Sequence, residues 1–332
     1  MTRPSARATR HLGLDLGATN LKWAMLAHDD GAWTTVARDQ VPTRIVAEVD
    51  TVPAAVVAQL AEVATDAIAA WGSAATIGIG VPGLYDPAAG TTRFLVNVPG
   101  PWAGQPVAGP VAEALGVPTS LVNDARGFGL AELRLGGGRG AASMIGLTLG
   151  TGVGGVIVVD GRVLLGHDGT AGEIGHQTIE PDGPWCGCGN RGCLEAFARA
   201  DQIALACGTA TVEEAVARAR DGDARAMDGI AAIARYLGIG IANMIVVLSP
   251  DRVVIGGGIS AAGDLLIDPI RAEVRRRVRT TSLEEVEIVT AELGTWAGAM
   301  GAAIHGAEAA AGRDDPVDGR ASAGARGPVV AR

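Results

Sequence analysis

Aromatic residues are scarce, at 3% of 332 positions. That removes the stacking platforms on which single-stranded nucleic acids are held. Positive charge is short as well. The 36 Asp and Glu outnumber the 27 Lys and Arg, leaving a net charge of -9. An acidic chain disfavours a polyphosphate backbone, so no nucleic-acid partner is expected. The basic N-terminus, MTRPSARATRH, lacks an apolar h-region and does not read as a secretory signal. Uninterrupted apolar runs are missing too. The longest, Ile230 to Leu248, is broken by Arg235, Asn243 and two glycines. Its length would allow a membrane span, but a buried helix is the expected reading. No glycine loop ends in the G-K-[ST] of a Walker A motif. A soluble, cytoplasmic protein without a membrane partner is expected.

What is present is apolar residue (48%) and glycine (49 residues), enough for a large, closely packed core. The length suits two domains. Residues 1 to 10 read as a flexible arm. His11–Leu16, Leu21–Ala27 and Ala32–Val41 read as three strands of a meander, turning at HDDG. Asp50 and Pro53 start a helix that ends near Gly72. Thr76–Val81 is a strand ending in Pro-Gly, Gln105–Leu115 a helix, and Thr119–Val122 a strand delivering Asn123-Asp124. The pattern then restarts with Ile145–Leu149 and Val153–Val159. GLDLGATN (13–20) aligns with GLTLGTGV (146–153), and VVIGGG (253–258) echoes IGIGVPG (77–83). Two such halves predict a duplicated α/β chain. Thr211 and Glu214 form a capping-box pattern. Helices follow from about Gly229 to Leu248, after Ser260, and over 297–311. The last is expected to pack back onto the first half. Beyond Gly312 the Gly, Ala, Asp and Arg composition predicts disorder.

The densest chemistry lies in GEIGHQTIEPDGPWCGCGNRGCLE, Gly172 to Glu195. His176, Cys186, Cys188 and Cys193 form H-x9-C-x-C-x4-C. Three thiolates and one imidazole suit a closed tetrahedral zinc site. The alternative is a disulfide, which Cys186 and Cys188 are too close in sequence to form comfortably. Glu173 and Glu195 flank this pattern. They suit hydrogen bonds to vicinal hydroxyls, or else are solvated surface carboxylates.

Two glycine hairpins stand apart from it. DLGATN offers Asp15, Gly17, Thr19 and Asn20, with Lys22 beyond. LGTGVGG offers Gly150, Thr151 and Gly152. Such turns can cradle phosphate oxygens with exposed N–H groups, though glycine is also routine in ordinary hairpins. Asp15 can position a magnesium-bound water. A third turn, Gly256, Gly257 and Gly258, leads from a strand towards a helix, where phosphates or an adenosine moiety can sit; its alternative is close strand–helix packing. Asp124 is a candidate general base with Asn123 orienting the same substrate, or else a helix N-cap. Cys207 reads as a buried small hydrophobe, and His167 as an exposed loop residue. His11, His28 and His305 have no companions in the sequence.

In this order, DLGATN, VPGLYD, NDAR, LGTGVGG, AGEIGH, CGCGNRGCLE and VVIGGGIS resemble the ROK family of sugar kinases and sugar-responsive repressors, over about residues 11 to 310. The resemblance implies a duplicated actin-like, ribonuclease-H-like ATPase fold: a smaller domain over 11–122, a larger one over 123–296, and a cleft between them. It implies phosphorylation of a hexose hydroxyl by ATP with Mg2+, glucose by default, and an N-acetylhexosamine such as N-acetylmannosamine or N-acetylglucosamine as the alternative. Asp124 would be the catalytic base. Gly83, Asn97, Asn123, Glu173, His176 and Glu195 would contact the sugar. A structural Zn2+ on His176 and the three cysteines would shape that pocket, and a homodimer or homotetramer would be the assembly. The repressors carry a DNA-binding domain ahead of the first hairpin, where this sequence has about ten residues, so a sugar-sensing repressor is the disfavoured reading. Two positions depart from the family pattern. Ala18 stands where a glycine is usual, and a positive φ there would cost about 1 kcal/mol or more. Arg126 stands where Asn is usual, and could lower the base's pKa or reach a phosphate.

Overall fold

The computed structural model describes residues 8–167 and 169–312. Most of the expected N-terminal arm, Asp168 and almost all of the expected disordered tail lie outside the described residues. The chain divides into two compact units. One runs to Leu135 and takes up the chain again from Thr295; the other spans Gly136–Gly294.

The first unit is built on a five-stranded sheet. Strands β1 (Thr9–Leu16), β2 (Asn20–Asp29) and β3 (Ala32–Pro42) form an antiparallel meander. Strand β4 (Thr76–Val81) pairs parallel with β1, and β7 (Thr119–Asn123) parallel with β4. The spatial order is β3-β2-β1-β4-β7. Alternation along β1 decides its two faces. Leu12, Leu14 and Leu16 enter one apolar cluster with Val56 and Leu60 of α1 (Val52–Trp71). The opposite face carries Gly13, level with Gly78 of β4. There α9 (Ala297–Ala310) lies directly on the sheet. A Cβ on Gly13 would collide with the Ala299 carbonyl, and one on Gly78 with the Ala302 carbonyl. The glycines are required by that close approach rather than by backbone conformation. Between β4 and β7 come a two-stranded ribbon, β5 (Gly83–Asp86) with β6 (Thr91–Leu95), and helix α2 (Ala108–Leu115).

The second unit repeats the plan. Strands β8 (Met144–Leu149), β9 (Val153–Val159) and the short β10 (Arg162–Val163) form the meander; β11 (Arg252–Gly257) and β12 (Glu287–Thr290) add in parallel, in the order β10-β9-β8-β11-β12. The aligned glycines of the sequence repeat occupy matching places. Gly13 of β1 is level with Gly78 of β4, and Gly146 of β8 is level with Val254 of β11. Short helices α4 (Glu195–Ala198), α5 (Ala200–Cys207) and α6 (Val212–Arg220) lead to α7 (Ala224–Leu248) and α8 (Asp264–Arg277). On α7, Ile230, Ile233, Leu237, Ile241 and Ile245 recur at helical spacing and join the strand residues Ile145 and Leu147 in one core. Helices α1 and α7 are long and apolar enough to cross a membrane by length and composition, and about half of α7's apolar window is buried within its unit (50%).

Several boundaries differ from those expected. β1 begins at Thr9, two residues inside the span expected to be a flexible arm. The first unit extends to Leu135, not to residue 122. The cause is α3 (Asp124–Leu135), which packs on α9 so tightly that a Cβ on Gly301 would meet the Gly127 carbonyl. Helix α7 starts five residues before Gly229, because the Asp223 side chain accepts from the Ala226 amide and caps it there. Helix α8 starts at Asp264, after a 3-10 turn over Gly258–Ala262. Thr211 caps α6, accepting from the Glu214 amide at 3.1 Å, but the Glu214 carboxylate accepts from the Ala210 amide rather than from Thr211.

Candidate active site and metal centre

In the first unit, the expected residues gather at the ends of β1, β4 and β7. The turn between β1 and β2 is closed by Gly17 N–H donating to Asn20 O at 3.1 Å. Thr43, just past β3, holds it from outside: its hydroxyl donates to Gly17 O at 2.7 Å and its amide to Thr19 O at 2.9 Å. Ala18 and Thr19 remain exposed at the tip. Asp15 sits one residue before this turn, paired in register with Lys22, the chain's single lysine. Burial pushes the Asp15 carboxyl up from 3.8 to about 6, with Lys22 pulling the other way.

Asn123 ends β7 and Asp124 begins α3. Asn123 Oδ1 accepts from the amides of Ala125 (3.1 Å) and Arg126 (3.2 Å), so Asn123 rather than Asp124 caps the helix. Its Nδ2 donates to Gly83 O at 3.2 Å, tying β7 to the ribbon. Asp124 Oδ1 accepts from the Ala125 amide at 2.8 Å. Gly83 and Asn97 both have positive φ, 141° and 63°. Gly83 pairs with Leu95 across the ribbon, two residues before Asn97. A left-handed asparagine outside regular structure is the kind of local strain that surrounding contacts must maintain.

In the second unit, the β8–β9 turn is closed by Gly150 N–H donating to Gly152 O at 2.9 Å, and Ala200 N–H donates to Gly150 O at 2.8 Å. The third glycine turn lies alongside, since Gly257 (φ 94°) pairs with Leu149. The two phosphate-loop candidates of this unit are therefore neighbours. Glu195, at the start of α4, braces the hairpin: Oε2 accepts from Val153 N–H at 2.9 Å, and a Cβ on Gly152 would come within 2.5 Å of the same oxygen.

Oε1 of Glu195 faces the cysteine cluster and accepts from Cys186 Sγ at 3.5 Å. A ring nitrogen of His176 and the Sγ atoms of Cys186, Cys188 and Cys193 all lie within 4.8 Å of one another. His176 Nδ1 is 3.6 Å from Cys186 Sγ, and the Cys188 and Cys193 sulfurs are 3.7 Å apart. Zinc bond lengths of about 2.3 Å to sulfur and 2.05 Å to nitrogen set tetrahedral edges of about 3.8 Å and 3.6 Å. The donor set and its spacing therefore fit that metal. Burial pushes the Cys186 thiol up to about 12 and raises Cys193 too; a bound divalent cation reverses this by taking thiolates as ligands. The loop is fixed by backbone bonds from Gly189 N to Cys186 O (3.0 Å) and from His176 N to Glu173 O (3.0 Å). Because Nδ1 faces the sulfurs, His176 Nε2 is the nitrogen left for another partner. Glu173 is exposed beside it.

The model of the ROK family matches residues 11–308. A glucokinase from Thermotoga maritima is 35% identical over 311 residues, covering 88% of this chain and 95% of the relative. The chain belongs to the ROK family. Among solved structures, a ROK hexokinase from Thermus thermophilus matches with a TM-score of 0.76 and 33% identity, over 92% of this chain and all of that one (100%). A ROK family glucokinase from Streptomyces griseus, crystallised with glucose and AMPPNP, matches at 0.73 and 29%, over 90% and 99%. The duplicated actin-like ATPase architecture of these ROK proteins is the one built here on two five-stranded sheets.

The structure answers the first departure from the ROK pattern and places the second. Ala18 does not appear among the non-glycine residues with positive φ, which among the described residues are Asp30, Asn97, Asp160 and Ser249. The turn therefore carries an alanine without the expected strain. Arg126 is buried within α3, 4% exposed. The other candidates divide. Cys207 is buried and its thiol donates to Ala226 O at 3.5 Å; His167 is exposed. His11 and His28 do have companions: Trp33 stacks on His28 at 4.3 Å and lies 5.5 Å from His11. Cross-strand pairing brings them together, which spacing along the sequence does not reveal. Thr43 was not anticipated. Nothing in VPTR marks it, because its role depends on β3 returning to the first hairpin.

Proposed function

We propose that this ROK protein is a cytoplasmic sugar kinase that transfers the γ-phosphoryl group of ATP to a hexose hydroxyl, glucose first, giving glucose 6-phosphate. The observation that carries this reading is the matched pair of hairpins, each at the head of its own copy of the sheet, with Asn123-Asp124 at the end of β7. Identity of 35% to a glucokinase over most of both chains supports glucose as substrate.

In this reading Asp124 is the general base. It takes the proton of the sugar hydroxyl as that oxygen attacks the γ-phosphorus and the bond to the departing ADP oxygen breaks. Asn123 has spent its oxygen on the α3 amides, so it offers the sugar its second Nδ2 hydrogen. Gly83 and Asn97 are placed as further sugar contacts. Glu173, Glu195 and His176 Nε2 bind sugar hydroxyls. Gly17, Thr19 and Asn20, with Lys22, and Gly150, Thr151 and Gly152 bind phosphate oxygens; Gly256, Gly257 and Gly258 bind the rest of the nucleotide. Asp15 would hold Mg2+, which would supply charge neutralisation at the transferring group. His176, Cys186, Cys188 and Cys193 would hold a zinc ion, which would fix the imidazole and the loop that carries it from outside the chemistry.

The test is a panel of hexoses and N-acetylhexosamines with ATP, scored by ADP release. Glucose should give the highest kcat/KM. Turnover confined to an N-acetylhexosamine would replace glucose as the substrate, and no sugar-dependent ADP release with any of them would refute the kinase reading.

A further inference from the structure

Asp15 stands on a floor without side chains. A Cβ on Gly298, in the first turn of α9, would have three nearest neighbours, all in the Asp15 carboxylate: Oδ2 at 2.5 Å, Cγ at 2.7 Å and Oδ1 at 3.0 Å. On the other side, a Cβ on Gly80 of β4 would reach Oδ1 only at 3.4 Å, an ordinary contact. Gly298 is not needed for its backbone, since its φ is not positive and it lies in a helix, where alanine is favoured over glycine. Nor can α9 retreat from an added methyl. Its carbonyls rest against Gly13 and Gly78 of the sheet on one side, and Gly301 rests against Gly127 of α3 on the other. The yielding group would be the carboxylate.

We propose that Gly298 is a positioning residue, whose bare Cα holds the Asp15 carboxylate beside the first glycine hairpin in the place where it serves the nucleotide. This rests on the kinase reading of Asp15. A methyl at residue 298 would swing the carboxylate towards solvent and change both its reach and its enclosure.

The experiment compares Gly298→Ala, Gly80→Ala and Asp15→Asn, and Gly298→Ala combined with Asp15→Asn. Gly298→Ala should lower kcat at least tenfold with the glucose KM within twofold. It should also shift the acid limb of the kcat–pH profile by at least half a unit. Gly80→Ala, the same methyl on the roomy side, should stay within threefold of the parent. In the Asp15→Asn background, Gly298→Ala should change residual turnover by less than twofold. Turnover of Gly298→Ala within twofold of the parent would overturn the proposal. So would a loss of equal size in the Asp15→Asn background with an unmoved acid limb, because the methyl would then act on the fold. Full activity of Asp15→Asn would instead overturn the underlying reading of Asp15, and the proposal with it. If Gly298→Ala is too unstable to assay, Asp15→Ser should raise its melting temperature by clearly more than it raises that of the parent, because it vacates the collision as well as removing the charge; an equal rise in both counts against the proposal.

Discussion

Replacing Asp15 by Asn should make the protein more stable and far less active. The carboxyl titrates at about 6 in the fold, against 3.8 in the open chain, because burial penalises its charge. The ionised form is thus costlier in the fold than in the unfolded chain by at most about 3 kcal/mol, an upper bound because Asp15 is only partly shielded from solvent. The sign follows from proton binding. Between 3.8 and about 6 the folded protein holds the proton that the unfolded chain has released, so stability falls as pH rises across that window. The cost is absent below it and complete above it. Asn carries no charge at any pH, so the variant should gain up to about 3 kcal/mol at pH 7.5, on the order of 5–10 °C in Tm, and close to nothing at pH 4. His11 titrates in an overlapping range with the opposite sign, lowered to about 4 by burial and then by His28, but it is common to both proteins and cancels in their difference. Calorimetry of the two proteins at several pH values between 4 and 7.5 measures the effect, with kcat assayed alongside. A Tm gain that is absent at pH 7.5, or equal at pH 4 and pH 7.5, would refute the enclosure argument. A gain in stability with undiminished kcat would refute the functional role. The expected combination, more stability and at least a hundredfold less turnover, is the trade a strained functional charge imposes.

Other outcomes follow from the same geometry. Chelation, or Cys188→Ser, should raise the glucose KM by tenfold or more while leaving the ATP KM within threefold, as expected where zinc on the cysteine cluster shapes the proposed sugar contacts; steady-state kinetics in both substrates checks this. Metal analysis of protein purified without added zinc should find about one ion per chain. Glu195→Gln removes the anion that accepts from Val153 N–H beside the second hairpin. It should cost roughly 1–3 kcal/mol in glucose kcat/KM, and a loss under twofold would separate Glu195 from the sugar. Leu147→Ala, fully buried at the centre of the second sheet, should cost about 2–5 kcal/mol of stability in urea melts and leave the glucose KM unchanged.

The sequence carried the duplicated plan because its repeat falls on β1 and β8, the central strands, where glycine, leucine and the hairpin recur in register. The metal ligands were legible for a local reason: three cysteines within eight residues can meet around one point. What was not legible depends on contacts far apart in the chain. The first unit runs past residue 122 because Gly127 meets Gly301, and neither glycine is marked by its neighbours. Asn123 and Asp124 are equally good caps by residue type, and only the fold assigns that task to Asn123. The β5–β6 ribbon escaped notice because TTRFL has no clean alternation of apolar residues. Strain at Ala18 was expected from a residue type, but Thr43 holds the turn without a left-handed residue there.

The central claim is that Asp124, set at the first turn of α3 behind its Asn123 cap, is the base for phosphoryl transfer to a hexose. Asp124→Asn, assayed for glucose-dependent ADP release and for glucose binding by calorimetry, tests it directly. The account predicts a 10²- to 10⁴-fold fall in kcat, the range for losing a general base, with glucose affinity within about fivefold of the parent protein. A variant that binds glucose normally and turns over within threefold of the parent would contradict it.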